Sequence, residues 1–245
     1  MSTDPAWTDE ALRSPHEVTD KAGRVRRMFD AIAPRYELVN TVFSGGRDRA
    51  WRRRAVELAV VRPEDDVLDV ACGTGDFARA FGRANPRSVV GCDFAHGMLV
   101  RAKGRPTGPT ACCEADALRL PFRDGSFSIA SCAFGVRNFQ NLGTGLREMF
   151  RVLRPGGRAV ILEFSRPANP VARALYEFYA ARLMPLAASL LSGDRSGAYR
   201  YLPRSVVSFR DVAQMRAELC NAGFADVTAT ALTMGIVTVY VATRV

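Results

Sequence analysis

The chain has 245 residues, 48% of them hydrophobic, which is enough for one large domain with a single core. No uncharged apolar run reaches the roughly 18 residues that suggest a membrane span. Met1–Ala22 carries Asp4, Asp9, Glu10 and Glu17 without the apolar stretch of a secretory signal, so a cytoplasmic protein is expected. The net charge of +9 is almost wholly arginine, Lys21 and Lys103 being the two lysines. It favours anionic partners without choosing among nucleic acid, lipid headgroups and phosphates.

Residues 1–22 read as a polar, flexible tail. From Gly23, apolar residues Val25, Met28, Phe29 and Ile32 recur at helical spacing until Pro34 stops the helix. An apolar patch from Tyr36 to Phe43 follows. The next helix, Arg47 to Val60, buries Trp51, Ala55, Leu58 and Ala59 and turns Arg47, Arg49, Arg52, Arg53 and Arg54 to solvent.

Asp66-Val67-Leu68-Asp69-Val70-Ala71 then reads as a buried strand, Cys72-Gly73-Thr74-Gly75 as a tight turn, and the residues from Asp76 as a helix. Strand and helix alternate from there. Ser88–Cys92, Thr110–Glu114, Phe127–Ala133 and Arg158–Phe164 are strands; Gly97–Lys103 and Leu142–Leu153 are helices, the latter stopped by Arg154-Pro155-Gly156-Gly157.

Residues 165–208 interrupt the alternation and read as a lid, with Val171–Leu191 apolar at helical spacing. Phe209–Ala222 is a helix. Asp226–Leu232 and Ile236–Thr243 close the chain as a hairpin through Thr233-Met234-Gly235. The expected fold is α/β: a doubly wound seven-stranded, mostly parallel sheet with an antiparallel last strand, a helical N-terminal extension and a lid, all in one domain over 23–245. The six cysteines show no C-x-x-C pair and read as small buried hydrophobes, so no metal is expected.

The turn carries the chemistry. Gly73 and Gly75 let backbone approach a ligand closely, and free N–H groups at the helix start face the same spot. Gly73 to Ala78 fits G-x-G-x-x-A, and Asp93, at the end of the next strand, stands where an acid would bind ribose hydroxyls. Taken alone, this fits NAD and S-adenosylmethionine (SAM) about equally. The segment Glu114-Ala115-Asp116-Ala117 after the third strand offers an acid to an adenine amine. The closing hairpin differs from the second half of an NAD-binding sheet. Together these features resemble class I SAM-dependent methyltransferases.

Met28-Phe29-Asp30-Ala31-Ile32-Ala33-Pro34-Arg35-Tyr36-Glu37-Leu38-Val39-Asn40 is similar to the N-terminal signature of the UbiE/MenG family of quinone-biosynthesis C-methyltransferases. Ala133-Phe134-Gly135-Val136-Arg137-Asn138, Glu163-Phe164-Ser165 with Pro167, and Tyr199-Arg200-Tyr201-Leu202 with Ser205 resemble three further motifs of that family. The resemblance implies SAM as cofactor, held by Thr74, Asp93, Asp116 and Ala117; we add Asp69, Gly73, Gly75, Phe94 and Ala133 to that set. It also implies a lipid-like quinol substrate, demethylmenaquinol first, with another phenolic or natural-product substrate, or RNA, as alternatives. Ala133 stands where the family usually has a SAM-contacting serine, and Tyr240 where it has histidine; both are expected to bear on substrate choice.

The methyl donor is already activated, so the protein must align the ring carbon and dispose of a proton. His16 lies in the tail and His96 beside the adenosine edge, which leaves Arg137 and Asn138 as the catalytic pair. Arginine stays protonated and would stabilise a developing phenolate. Tyr36, Glu163 and Tyr201 are the candidate substrate contacts. Plainer roles stand beside these: Asn138 as a helix cap, Glu163 as the partner of an arginine, Tyr36 and Tyr201 as core aromatics, Asp69 as a brace for the glycine turn. Aromatic residues do not interleave with the basic runs, so no nucleic-acid partner is expected. A peripheral contact with the inner face of a membrane and a homodimer are compatible with the reading.

Overall fold

The computed structural model describes residues 7–8, 10–33, 40–41, 44–103, 109–167, 169–170, 173–174 and 197–245. Tyr36 and nearly all of Val171–Leu191 lie outside the described residues. The strands are β1 (Asp66–Val70), β2 (Ser88–Asp93), β3 (Ala111–Glu114), β4 (Phe127–Ala133), β5 (Leu153–Phe164), β6 (Ala225–Leu232) and β7 (Val237–Thr243). The described helices are α1 (Lys21–Ile32), α2 (Asp48–Ala59), α3 (Asp76–Gly82), α4 (His96–Ala102), α5 (Leu142–Val152), α6 (Ala198–Val207) and α7 (Val212–Asn221).

One seven-stranded sheet in the order β3-β2-β1-β4-β5-β7-β6 carries the fold. β7 inserts between β5 and β6 and runs antiparallel to both. The other neighbouring pairs are parallel. β1 and β4 lie at the centre, which explains why nearly every residue of both is buried: a central parallel strand is covered on both faces. On one face Leu68, Val70, Ala130 and Ile161 pack with Leu146 and Met149 of α5 and Leu219 of α7. On the other, Val67, Ile129 and Val160 pack with Trp51 and Ala55 of α2 and Phe77 and Phe81 of α3.

Three expectations change. β5 begins at Leu153 rather than Arg158, because Leu153 pairs with Phe127 before a register shift that resumes at Ile129–Arg158. Arg154 to Gly157 is thus an irregularity within the strand, with Gly156 at φ +76°, a conformation glycine adopts without strain. The helix expected over Phe209–Ala222 starts at Val212, where Asp211 and Gln214 form a capping box with reciprocal bonds of 2.8 and 3.0 Å.

The third change is at the N-terminus. Trp7 and Leu12, placed in a flexible tail by their polar neighbours, are buried with Val25, Met28, Met98 and Tyr201. Trp7 stacks on Tyr201 with ring centroids 4.1 Å apart. Single large apolar residues in a charged segment anchor it because α1 and α6 present an apolar surface that needs covering.

Candidate active site

The chain leaves β1 through Ala71 (φ +54°), Gly73 (φ +55°) and Gly75 (φ +81°), and Gly75 opens α3. A Cβ at Gly75 would lie 3.4 Å from Ala102 and Pro109, so this glycine serves the turn and its packing. Asp93 at the end of β2 braces the turn. Its Oδ2 accepts from the Gly73 N–H at 2.8 Å and its Oδ1 from the Ala95 N–H at 2.8 Å. Burial pushes its carboxyl up to about 6, against these two backbone donors.

Asp69 stands behind the turn. It is fully buried; Oδ1 accepts from the Ser131 hydroxyl at 2.9 Å, and Oδ2 has no hydrogen-bond partner among the described residues. Burial pushes this carboxyl up to about 7, with Ser131 and the Arg52 charge pulling it down.

Gly73, Asp93, Phe94, Asp116, Ala117, Ala133 and Asn138 all line one cleft at the carboxyl ends of β1, β2 and β4. Asp116 sits in an exposed turn, its Oδ1 accepting from the Leu118 N–H at 2.9 Å. Asp69 and Thr74 line a smaller recess that meets the cleft at Ala71, Gly73 and Ala133. Ala22 and Phe29 of α1 form part of the cleft wall; their helical spacing in the sequence carried no sign of that role.

Arg137 and Asn138 form a short 3-10 turn after β4. Asn138 faces the cleft. Its Oδ1 accepts from the Tyr201 hydroxyl at 2.9 Å and its Nδ2 donates to the Phe134 carbonyl at 3.3 Å. The cap of α5 is Asn141, which accepts from the Thr144 N–H, so Asn138 is not a helix cap.

Arg137 lies behind the cleft wall. Its Nη1 donates to Glu163 Oε1 at 2.7 Å and to the Phe134 carbonyl at 2.6 Å. Glu163 also accepts from the Phe164 N–H at 2.9 Å. Burial pushes Glu163 up, with the Arg137 charge pulling against it. Glu163 is therefore given to Arg137 and not to the cleft. Tyr201 is likewise buried and committed to Asn138, and burial holds its phenol protonated, as a donor. Tyr240 lies in the core, paired across the sheet with Ile161, so this departure does not line the cleft.

A second buried cation clamps the same turn. Lys21 Nζ donates to the Arg137 carbonyl at 2.9 Å and to that of Phe139 at 2.7 Å, and lies 3.2 Å from His16 Nδ1. Gln140 ties in the same helix end by accepting from the Ala22 N–H at 2.8 Å. Burial, then the Arg137 charge, lowers Lys21 to about 8. His16, beside Ser205 and Lys21, is lowered to about 4 and is neutral near pH 7. Neither residue sits in a free tail.

This fold and site define a methyltransferase of the doubly wound α/β class. Its sheet carries the reversed β7 between β5 and β6, and its glycine turn faces an acid at the end of the neighbouring strand. The structure is similar to a SAM-dependent methyltransferase of Thermotoga maritima, with a TM-score of 0.65 and 17% identity over 89% of this chain and 99% of that one. The ubiE/COQ5 methyltransferase family model matches residues 17–244. The chain is 45% identical to the demethylmenaquinone methyltransferase of Thermus thermophilus, over 89% of this chain and all of that protein. It is 43% identical to the ubiquinone/menaquinone biosynthesis C-methyltransferase UbiE of Geobacter sulfurreducens, over 92% of this chain and 90% of that protein. The chain belongs to the ubiE/COQ5 methyltransferase family. Among the described residues no helix is long and apolar enough to cross a membrane.

Proposed function

We propose that the chain transfers the methyl group of SAM to a ring carbon of a demethylated prenyl quinol, demethylmenaquinol before a ubiquinol precursor. One observation carries the reading beyond the family: the cleft joins the Gly73–Asp93 turn on one side to the Asn138 turn on the other. A cofactor pocket and a polar turn held by buried charges thus share one space. A peripheral contact with a membrane surface, where a prenylated quinol partitions, belongs to the same reading.

Asp93, Phe94, Asp116 and Ala117 would hold the adenosine portion, with Gly73 giving close backbone approach. Asp69, with its unpaired buried oxygen, and Thr74 would hold the amino-acid end. SAM supplies an electrophilic methyl group on a sulfonium. The protein's work is alignment, a dry cleft, and charge for the ring oxygen. Asn138 is the polar side chain of the turn that reaches the cleft, and its Nδ2 is the donor toward a ring oxygen or a water. Arg137 acts as a positioning residue: it fixes the turn through Phe134 and Glu163 and keeps a cation behind it. Alignment of this kind contributes several kcal/mol, up to roughly 7–11 in ideal cases.

The test offers the purified protein SAM with demethylmenaquinol and, separately, a demethylated ubiquinol precursor, with mass spectrometry following the added methyl. Transfer to the first is expected. SAM binding without transfer to either quinol would remove the substrate assignment.

A proton linkage follows from Asp69. Its carboxyl is raised in the folded protein, so ionising it costs stability as pH rises from about 4 to 7. A bound ammonium favours the ionised form, so SAM affinity should fall as pH drops through about 7. Calorimetry near pH 6, in buffers of different ionisation enthalpy, should show proton release on binding. Asp69→Asn should abolish that release; a pH-independent affinity in the parent protein would exclude this role for Asp69.

A further inference from the structure

Helix α2 carries five arginines from 47 to 54 if its cap is included, and one of them does not reach solvent: Arg52 is 5% exposed. Positions 48, 52, 55 and 59 form a stripe at helical spacing, and Asp48, Ala55 and Ala59 are buried with Arg52. Arg52 Nη1 donates to Asp48 Oδ2 at 2.7 Å, and Asp48 lies 3.2 Å from the donating Ser44 hydroxyl. The guanidinium sits over the Phe134 ring, 5.3 Å from its centroid. Asp48 thus fixes one nitrogen and Phe134 one face. Arg52 Nε is buried and has no hydrogen-bond partner among the described residues.

Asp69 Oδ2 is in the same condition, and both side chains line the recess that opens beside Gly73 and Thr74. The two do not bond to each other. A buried cationic donor and a buried anionic acceptor, unsatisfied on one wall, are unfavourable unless a ligand supplies the complementary groups. A ligand that does so carries an anion and a cation close together. An α-amino acid is the simplest such group, and SAM ends in one.

We propose that Arg52 is the receptor for the α-carboxylate of SAM, paired with Asp69 as the receptor for its α-ammonium. The proposal rests on SAM being the cofactor. Arginine suits the role because its planar fork can meet a carboxylate with two parallel N–H donors, and Asp48 occupies only Nη1. Asp48 and the ring of Phe134 hold the guanidinium in place before the ligand arrives, which lowers the cost of ordering it. A purely structural arginine would tie down its own Nε, and its loss would weaken every ligand of the cleft alike.

That difference is measurable by isothermal titration with three ligands: SAM, decarboxylated SAM, which keeps an amine but lacks the carboxylate, and methylthioadenosine, which lacks the amino-acid end altogether. The parent protein should bind SAM roughly 10- to 100-fold more tightly than decarboxylated SAM, the range of a hydrogen bond to a charged group. Arg52→Met should remove that preference, weakening SAM by a similar factor while leaving the other two affinities within about twofold. Arg52→Lys should restore part of it. Parallel losses for all three ligands in Arg52→Met, or unchanged SAM affinity, would overturn the assignment. If Arg52→Met does not fold, the parent protein alone decides: equal affinity for SAM and its decarboxylated form overturns it. A parent protein that binds none of the three would instead refute the cofactor reading itself.

Discussion

Arg137→Ala should lose most methyl transfer and also about 3–5 kcal/mol of folding stability, because it strands the buried Glu163 carboxylate. The pair lies 2.7 Å apart with side chains 3% and 1% exposed, so neither charge can turn to solvent. The two effects separate in the double variant Arg137→Met with Glu163→Leu. Replacing a whole buried ion pair by apolar side chains of similar size is often neutral or stabilising. Chemical denaturation should therefore show most of the stability restored, while transfer stays low because the turn has lost its cation and its tie to Phe134. SAM affinity should change little in the double variant. A double variant with full turnover would reduce Arg137 to a purely structural residue.

Asp93→Ala is expected to weaken SAM binding by at least roughly 100-fold, from two losses at one position. The acid proposed to meet the ribose is removed, and the N–H groups of Gly73 and Ala95 lose their acceptor. Each stranded buried donor costs about 1–3 kcal/mol, so a lower thermal midpoint should accompany the weaker binding. Asp93→Asn separates the contributions: its amide keeps one oxygen as acceptor but not both, so its losses should be intermediate. Asp69→Asn should leave the turn intact, because the hydroxyl Asp69 accepts from belongs to Ser131 of β4. Unchanged SAM affinity in Asp93→Ala would exclude the ribose role and leave Asp93 as a brace alone.

Much of the fold was legible because its signals are local. The apolar runs of β1 and β4, the Gly-Thr-Gly turn and the Asp93 strand end each depend on a few neighbouring residues, and the structure places them as their patterns predict. The Asp211–Gln214 cap was equally local and readable, though it is not among the expected boundaries. The start of β5 was not: Pro155 and Gly156 signal a stop, and only pairing of Leu153 with Phe127 carries the strand through them.

The candidate site divides in the same way. Gly73, Asp93, Phe94, Asp116, Ala117, Ala133 and Asn138 reach one cleft because they follow strand ends of one parallel sheet, an ordering that alternating strands and helices dictate. What the amino-acid sequence determined by itself was therefore the sheet, the glycine turn and, through the family resemblance, the class of reaction. The tertiary structure alone decided how buried charges are shared. It gave Glu163 to Arg137, Tyr201 to Asn138 and Lys21 to the carbonyls of Arg137 and Phe139, and it drew Arg52 out of an arginine-rich helix face toward Asp69. Such choices turn on desolvation, which depends on every element packed around a group and leaves no periodic trace along the chain.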